Sequence, residues 1–422
     1  MSPAAVAVLV AITALSQFYR SCLGVIAPEL TQDLHLSPED LGRANSAFFL
    51  ALALLQIPVG LLFDRYGPRK VTACLTAIAV AGAAWQALAT SAMEFAAARF
   101  VIGIGCAASF MGAVTLCAFW VSGARLSTVL SRVFAFSQVG IFLAATPLAF
   151  AQTVVGWRWA FAAVALLTAI AGVVFFAIIR DRPPGAVVAQ PHDSLADVVR
   201  GLAAVWRSPG LPSLLAMHTF AYASMATVLG LWAGPYLAHV HGVDLATRGH
   251  ILLAMALAQL IGILSYGPLD RIFDTRKWII VPGATASILC LAALALVPGM
   301  PKPAAVALLI LFTGVTSYAV VIVAHGRSLF PDHLVGRGVT TVNIAQVLGL
   351  TALPLLSGAI IGGFPAPGAV SPEIAYRWAF GAIGLTLAAG LAIYAIFAKD
   401  AKPSSANEAA RQATPGPWRS PR

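Results

Sequence analysis

Long apolar runs alternate with short polar interruptions along the whole chain. Most residues in each run are apolar, which suits a helix surrounded by lipid or by other helices. A helix needs about 20 apolar residues to cross a bilayer. Twelve runs satisfy this, at roughly 3–29, 40–63, 71–91, 93–120, 129–155, 158–180, 209–238, 248–269, 276–297, 303–326, 338–362 and 374–397. The pattern predicts an all-α integral membrane protein with twelve transmembrane helices. The interruptions alternate in charge. Those after segments 2, 4, 6, 8 and 10 hold most of the bases, among them Arg65, Arg69, Lys70, Arg125, Arg180, Arg271 and Lys277. The others hold few bases, and Asp33, Glu39, Asp40 and Asp244 lie in them. Basic loops stay cytoplasmic, so both termini are expected there and the number of segments must be even.

Composition narrows the class further. Of 422 residues, 59% are hydrophobic and 10% charged, against about 25% charged in soluble domains. The net charge of +10 does not point to nucleic acid, because the bases are spread through short loops instead of lying on one face. The expected surroundings are a lipid bilayer, in a bacterial inner (plasma) membrane. Cys22, Cys74, Cys106, Cys117 and Cys290 all lie in apolar runs without a Cys-x-x-Cys pair, which implies no disulfide framework. The first segment is too long for a cleaved signal and reads as a retained helix. No nucleotide loop, metal-ligand set or nucleophile elbow is present, so neither an enzyme nor a cofactor is expected, and a monomer is.

The chain also repeats itself. Gly60 to Lys70 reads GLLFDRYGPRK, and Gly267 to Lys277, 207 residues on (267 − 60), reads GPLDRIFDTRK. Gln138 to Pro147 is echoed from Gln346 (346 − 138 = 208), and WRWAF from Trp157 is echoed by YRWAF from Tyr376 (376 − 157 = 219). Matches in one order at nearly constant spacing indicate two six-helix halves in the same orientation. The expected divisions are 1–182, a cytoplasmic linker at 183–208 with a short amphipathic run, 209–398, and a disordered tail at 399–422.

The loop signature and the parallel duplication together resemble the major facilitator superfamily of secondary transporters. Gly60, Asp64, Arg65, Gly67, Arg69 and Lys70 match the superfamily's loop pattern completely. The resemblance implies that this loop is a latch, centred on Asp64, which joins the halves when the outer side is open and breaks when the inner side opens. The second copy departs from the pattern, since Asp270 comes three residues after Gly267 and Phe273 or Asp274 replaces the glycine. Arg99, Gly103 and Gly105 resemble the fourth-segment signature of proton-coupled members. The acid that organic-anion:proton symporters carry seven residues after this arginine is Cys106 here.

Arg20 is the sharpest chemical clue. It lies well inside segment 1, where a guanidinium costs about 2.5–3.5 kcal/mol to insert, and no carboxylate occurs within one turn. Such a residue faces a cavity or a partner, and its planar fork suits a carboxylate or phosphate. Tyr19-Arg20 followed by Pro28 resembles the organophosphate:phosphate antiporters and related organic-anion transporters, in which this arginine binds the anionic group. Other polar positions with cavity-like spacing are Gln17, Tyr19, Gln138, His218, Tyr222, Tyr318, His325, Asn343 and Gln346. Each would equally serve as a bond to a neighbouring helix. No acid lies near the middle of any segment, which leaves His218 and His325 as possible proton carriers, or exchange without one. Gly234-Pro235-Tyr236 is the expected outer hinge.

The leading reading is alternating-access transport of a small organic anion, by anion exchange or proton coupling. A multidrug exporter, a soft-metal (copper) importer and a transporter-like ligand sensor remain as alternatives.

Overall fold

The computed structural model describes residues 1–121, 124–182, 204–330, 335–364 and 372–404, and the regular elements among them are helices. Most of the expected linker and tail lies outside these residues. The first half holds α1 (Pro3–Ser21), α2 (Leu23–Leu34), α3 (Pro38–Tyr66), α4 (Pro68–Leu88), α5 (Ala92–Trp120), α6 (Ala124–Ser137), α7 (Val139–Leu143) and α8 (Thr146–Ile178). The second holds α9 (Leu211–Thr227), a π-turn (Val228–Trp232), α10 (Ala233–His241), α11 (Leu245–Ile272) and α12 (Lys277–Leu296). It continues with α13 (Lys302–Val315), a 3-10 turn (Thr316–Tyr318), α14 (Ala319–Ser328), α15 (Val335–Gly362) and α16 (Pro372–Phe397).

Eleven of these helical stretches are long and apolar enough to cross a membrane. One of them, Thr128–Ile178, has 51 residues. At about 1.5 Å per residue it is more than twice the ~30 Å hydrocarbon thickness. The chain turns inside it at Gly156 (φ 80°), a conformation that a side chain would strain. It is therefore two spans, and the total is the even number that the loop charges require.

Local chemistry sets where the helices begin. Ser37 and Asp40 form a reciprocal capping box at α3, and Ser91 and Asp244 cap α5 and α11. The repeated motifs make repeated contacts. Arg158 donates to the Ala89 carbonyl at the end of α4 (3.1 Å), and Arg377 to the Ala295 carbonyl at the end of α12 (2.7 Å). Gly67 takes φ 82°, and Asp274, 207 residues on (274 − 67), takes φ 48°. The second copy of the loop thus keeps the left-handed turn and gives the position to aspartate, a residue that tolerates it.

The first and seventh spans both lose regular α-helical hydrogen bonding partway along, while keeping helical backbone angles. Cys22 separates α1 from α2, and the π-turn starts at Val228. The breaks face each other, since a side chain on Gly24 would strike the Leu229 carbonyl and the Gly230 backbone. The discontinuity in the seventh span therefore precedes Gly234-Pro235-Tyr236, the expected hinge. Gly234 instead lets the chain press against the Gly24 carbonyl.

Contacts between the halves lie toward the end opposite the termini. There α2 meets α10, α3 meets α15, and the start of α8 meets α11. An ion pair at 2.5 Å joins the buried Arg248 to the half-buried Glu29, and Arg248 also donates to the Val25 carbonyl at 3.2 Å. Gly42 packs on Pro354 and Gly358, and Ser46 donates to the Thr351 carbonyl at 2.7 Å. Among the described residues, no hydrogen bond or ion pair joins the halves at the end bearing the termini. The outlying faces of α3 there, including Leu54, Ile57 and Leu61, are exposed.

Candidate functional site

Where the two irregular stretches meet, a small crevice lies between the halves, mostly apolar with a few polar groups. Its first-half wall is Arg20, Ser21, Phe49 and Ile141. Its second-half wall includes Tyr222, Met225, Leu229, Gly230 and Gln259. Arg20 is the penultimate residue of α1 and is half-buried, and its Nε is buried without a partner. Arg99, fully buried, donates to the Tyr19 carbonyl at 2.6 Å and stacks over Phe48 at 4.7 Å. Gly103 and Gly105 let α5 press against α3 at Phe48 and against α4 at Ala79. The fourth-segment signature therefore acts here as packing around the broken first span.

Of the predicted substrate residues, the structure brings Arg20 and Tyr222 into the crevice. Tyr19, one step round the helix, turns away. Its hydroxyl shares a hydrogen bond with Thr168 at 2.9 Å, inside the first half. Gln17 donates to Gln138 at 3.0 Å, so these two bind each other one turn from the crevice. His218 is buried against Gln346 of α15 with its Nδ1 unpaired. Asn343 is half-buried on the same helix as Gln346. Tyr318 is fully buried in the second half, against Gly283 and Tyr266. His325 lies toward the end bearing the termini and shares a 2.6 Å hydrogen bond with Tyr394. Tyr318 and His325 belong to the packed interior of one half, because the 3-10 turn and α14 pack within their own half. Neither shares the crevice with Arg20.

Gln259 escaped the sequence reading. It is 3% exposed, and its Oε1 is buried without a partner. The available signal is one amide in an otherwise apolar stretch of α11, weaker than a charge.

At the expected latch, Asp64, Arg65 and Lys70 are exposed, and Asp64 has no polar partner among the described residues. Arg69 instead binds within its own half. Its N–H donates to Asp181 at 2.7 Å, and its guanidinium donates to the Phe176 carbonyl and stacks on that ring. Gly60 has open space beside it, whereas a side chain on Gly67 would strike Asp181.

The comparisons agree with this architecture. A putative tartrate transporter of Agrobacterium vitis is 23% identical over 357 residues, 80% of this chain and 78% of that protein. A probable sulfoacetate transporter of Cupriavidus necator is 25% identical over 60% of this chain and 61% of its own length. A nitrate/nitrite transporter of Nostoc punctiforme is 27% identical over 43% of this chain, an alignment spanning 37% of that relative. The fold is similar to that of a D-xylose–proton symporter (TM-score 0.75, 16% identity, 94% of this chain and 98% of that one). It is also similar to the nucleoside transporter NupG (TM-score 0.73, 13% identity, 93% and 99%). The description of the Major Facilitator Superfamily matches residues 9–326 and again 235–422. With most of its length matched, and with two six-helix halves around a crevice between them, the chain belongs to the Major Facilitator Superfamily, a family of membrane transporters and not of enzymes.

Proposed function

We propose that the chain moves a small organic anion across a bacterial plasma membrane by alternating access, with Arg20 binding the anionic group. The observation that carries this is the buried, unpartnered Nε of Arg20 in a crevice between the halves. An unmade charged hydrogen bond there favours a ligand that completes it. The crevice lining holds one guanidinium and no carboxylate, which argues against an exporter of lipophilic cations. Relatives named for tartrate, sulfoacetate and nitrate transport fit an anionic cargo. We take the basic loops and both termini as cytoplasmic, and on that reading the described state is open inward. The unpartnered Asp64 agrees with a latch that breaks in that state.

The test is counterflow in proteoliposomes with a panel of carboxylates, sulfonates and phosphate esters, first at fixed pH and then with a pH gradient. Uptake of one class should fall about thirtyfold or more in Arg20→Ala, the loss that follows removal of a buried anion's charged partner. Uptake that ignores every anion, or an unaffected Arg20→Ala, rules the reading out. Indifference to the gradient with strict dependence on internal anion would favour exchange.

A further inference from the structure

We infer that the cargo carries a single negative charge and a separate neutral hydrogen-bonding group, and that Gln259 is the residue that reads this second group. The inference rests on the reading of Arg20 as the anion's partner.

Charge comes first. Arg20 is the crevice's one formal charge, and the walls around it include Phe49, Ile141, Met225 and Leu229. One carboxylate on Arg20 leaves the site neutral. A second carboxylate on the same molecule would lie unpaired against apolar side chains, where an unpaired ion is strongly disfavoured. The nearest acid of the closed seam, Glu29, is already paired with Arg248, so Arg248 is not free to take that second charge.

Gln259 supplies the second point of attachment. It comes from the other half, so a molecule touching both Arg20 and Gln259 spans the seam. Its Oε1 is buried and unpartnered, and an amide offers both a donor and an acceptor to a neutral group. Its backbone is held in place. Ser317 donates to the Gln259 carbonyl at 3.0 Å, and one turn earlier Thr313 donates to the Met255 carbonyl at 3.0 Å. Gly262, just beyond, lets α11 press against the Gly314 carbonyl. A binding amide on a fixed helix turn discriminates better than one on a mobile loop. A site built to bond a hydroxyl rejects the analogue lacking it, because the buried amide is then left unpaired.

The experiment is competition binding to purified full-length protein with two matched sets of probes. One set is 3-hydroxybutyrate, butyrate and succinate, and the other is 4-hydroxybenzoate, benzoate and terephthalate. In one set at least, the hydroxylated monoanion should bind about tenfold or more tighter than both its deoxy analogue and the dianion. Gln259→Met should bring the hydroxyl preference to within about twofold, and Gln259→Arg should reverse the order in favour of the dianion. Gel-filtration profiles of each variant confirm that it is folded. A wild type that prefers the dianion, or a hydroxyl preference that survives Gln259→Met in folded protein, overturns the inference. Arg20→Ala separates the two levels. If it abolishes binding while the Gln259 variants leave selectivity unchanged, this inference fails and the anion reading stands. If binding ignores Arg20→Ala, or no probe binds, the anion reading fails and carries this one with it.

Discussion

Arg99 is a buried cation with no acid beside it. Its charge is met by the Tyr19 carbonyl at 2.6 Å, the Asn45 side chain at 3.5 Å and the face of Phe48. Such an arrangement depends on the planar fork of arginine, which reaches several partners at once. Arg99→Lys keeps the charge and loses the fork, so one group no longer reaches the Tyr19 carbonyl and the Asn45 side chain together. It should cost about 1–3 kcal/mol, the usual penalty for an orphaned buried group, and weaken anion binding at the adjoining Arg20. Thermal unfolding in detergent checks the first part, and an unchanged midpoint would count against it. The same scale shows what a sequence makes visible. Arg20 is legible because a charge at membrane depth is rare and demands a reason. Tyr19 is misleading, since successive residues on a helix point about 100° apart and its neighbour's role does not transfer. Gln259 is hidden because one neutral amide in an apolar run looks like any helix-to-helix bond.

Among the elements, the duplication is clearest in two acids outside the spans. Asp181 follows α8 and accepts from the Arg69 N–H, where α4 begins. Asp400 follows α16, 219 residues on (400 − 181), and accepts from the N–H groups of Arg276 and Lys277 at 3.0 and 2.9 Å and from Thr275 at 2.6 Å. Each ties the last span of its half to the start of that half's third. Burial alone would raise the Asp400 carboxyl. The Thr275 hydroxyl and the N–H groups of Lys277 and Arg276 more than offset it and hold the group below the usual carboxylate range. A depressed folded value stabilises above the unfolded value of about 3.9 and ceases to do so as pH falls through the folded one. Asp400→Asn should therefore cost roughly 1 kcal/mol near neutral pH, as lost helix caps do. The gap from wild type should close below about pH 4, which unfolding midpoints measured across pH 3–8 would show. A gap constant across that range would mean that shape, not charge, matters at this position. Neither acid stands out in the sequence, because the repeat is recognised from apolar and basic matches and these acids lie at the edges of the predicted segments. The twelve spans are legible, since hydrocarbon imposes length and composition on each of them. The mid-span breaks at Cys22 and Val228–Trp232 are not, for they depend on how two halves press together.

At the scale of the whole molecule, one end is locked and the other is not. The lock combines the Glu29–Arg248 pair with glycine-mediated contact between α2 and α10, while at the opposite end Asp64 is exposed and without a polar partner among the described residues. Under the proposed alternating access these two ends exchange roles. Removing Arg248 leaves the half-buried Glu29 without its partner, at a cost of about 1–3 kcal/mol, and every 1.4 kcal/mol shifts a two-state ratio about tenfold. Arg248→Ala penalises only the state in which Glu29 is enclosed, so it should move the population toward opening at the locked end. Ala149 is a suitable reporter, because it is 1% exposed and packs on Gly249 across the seam. Among the native cysteines only Cys74 is exposed, so an Ala149→Cys reporter in a Cys74→Ser background has a low blank. A water-soluble thiol reagent should label this cysteine about tenfold or more faster once Arg248→Ala is added. Adding Asp64→Asn should slow labelling again, because the state open at that end is the one that needs the latch closed. Arg248→Ala labelling at the parental rate would mean that the glycine contacts alone hold the seam. An Asp64→Asn variant without effect would mean that its loop sets topology and is not a latch.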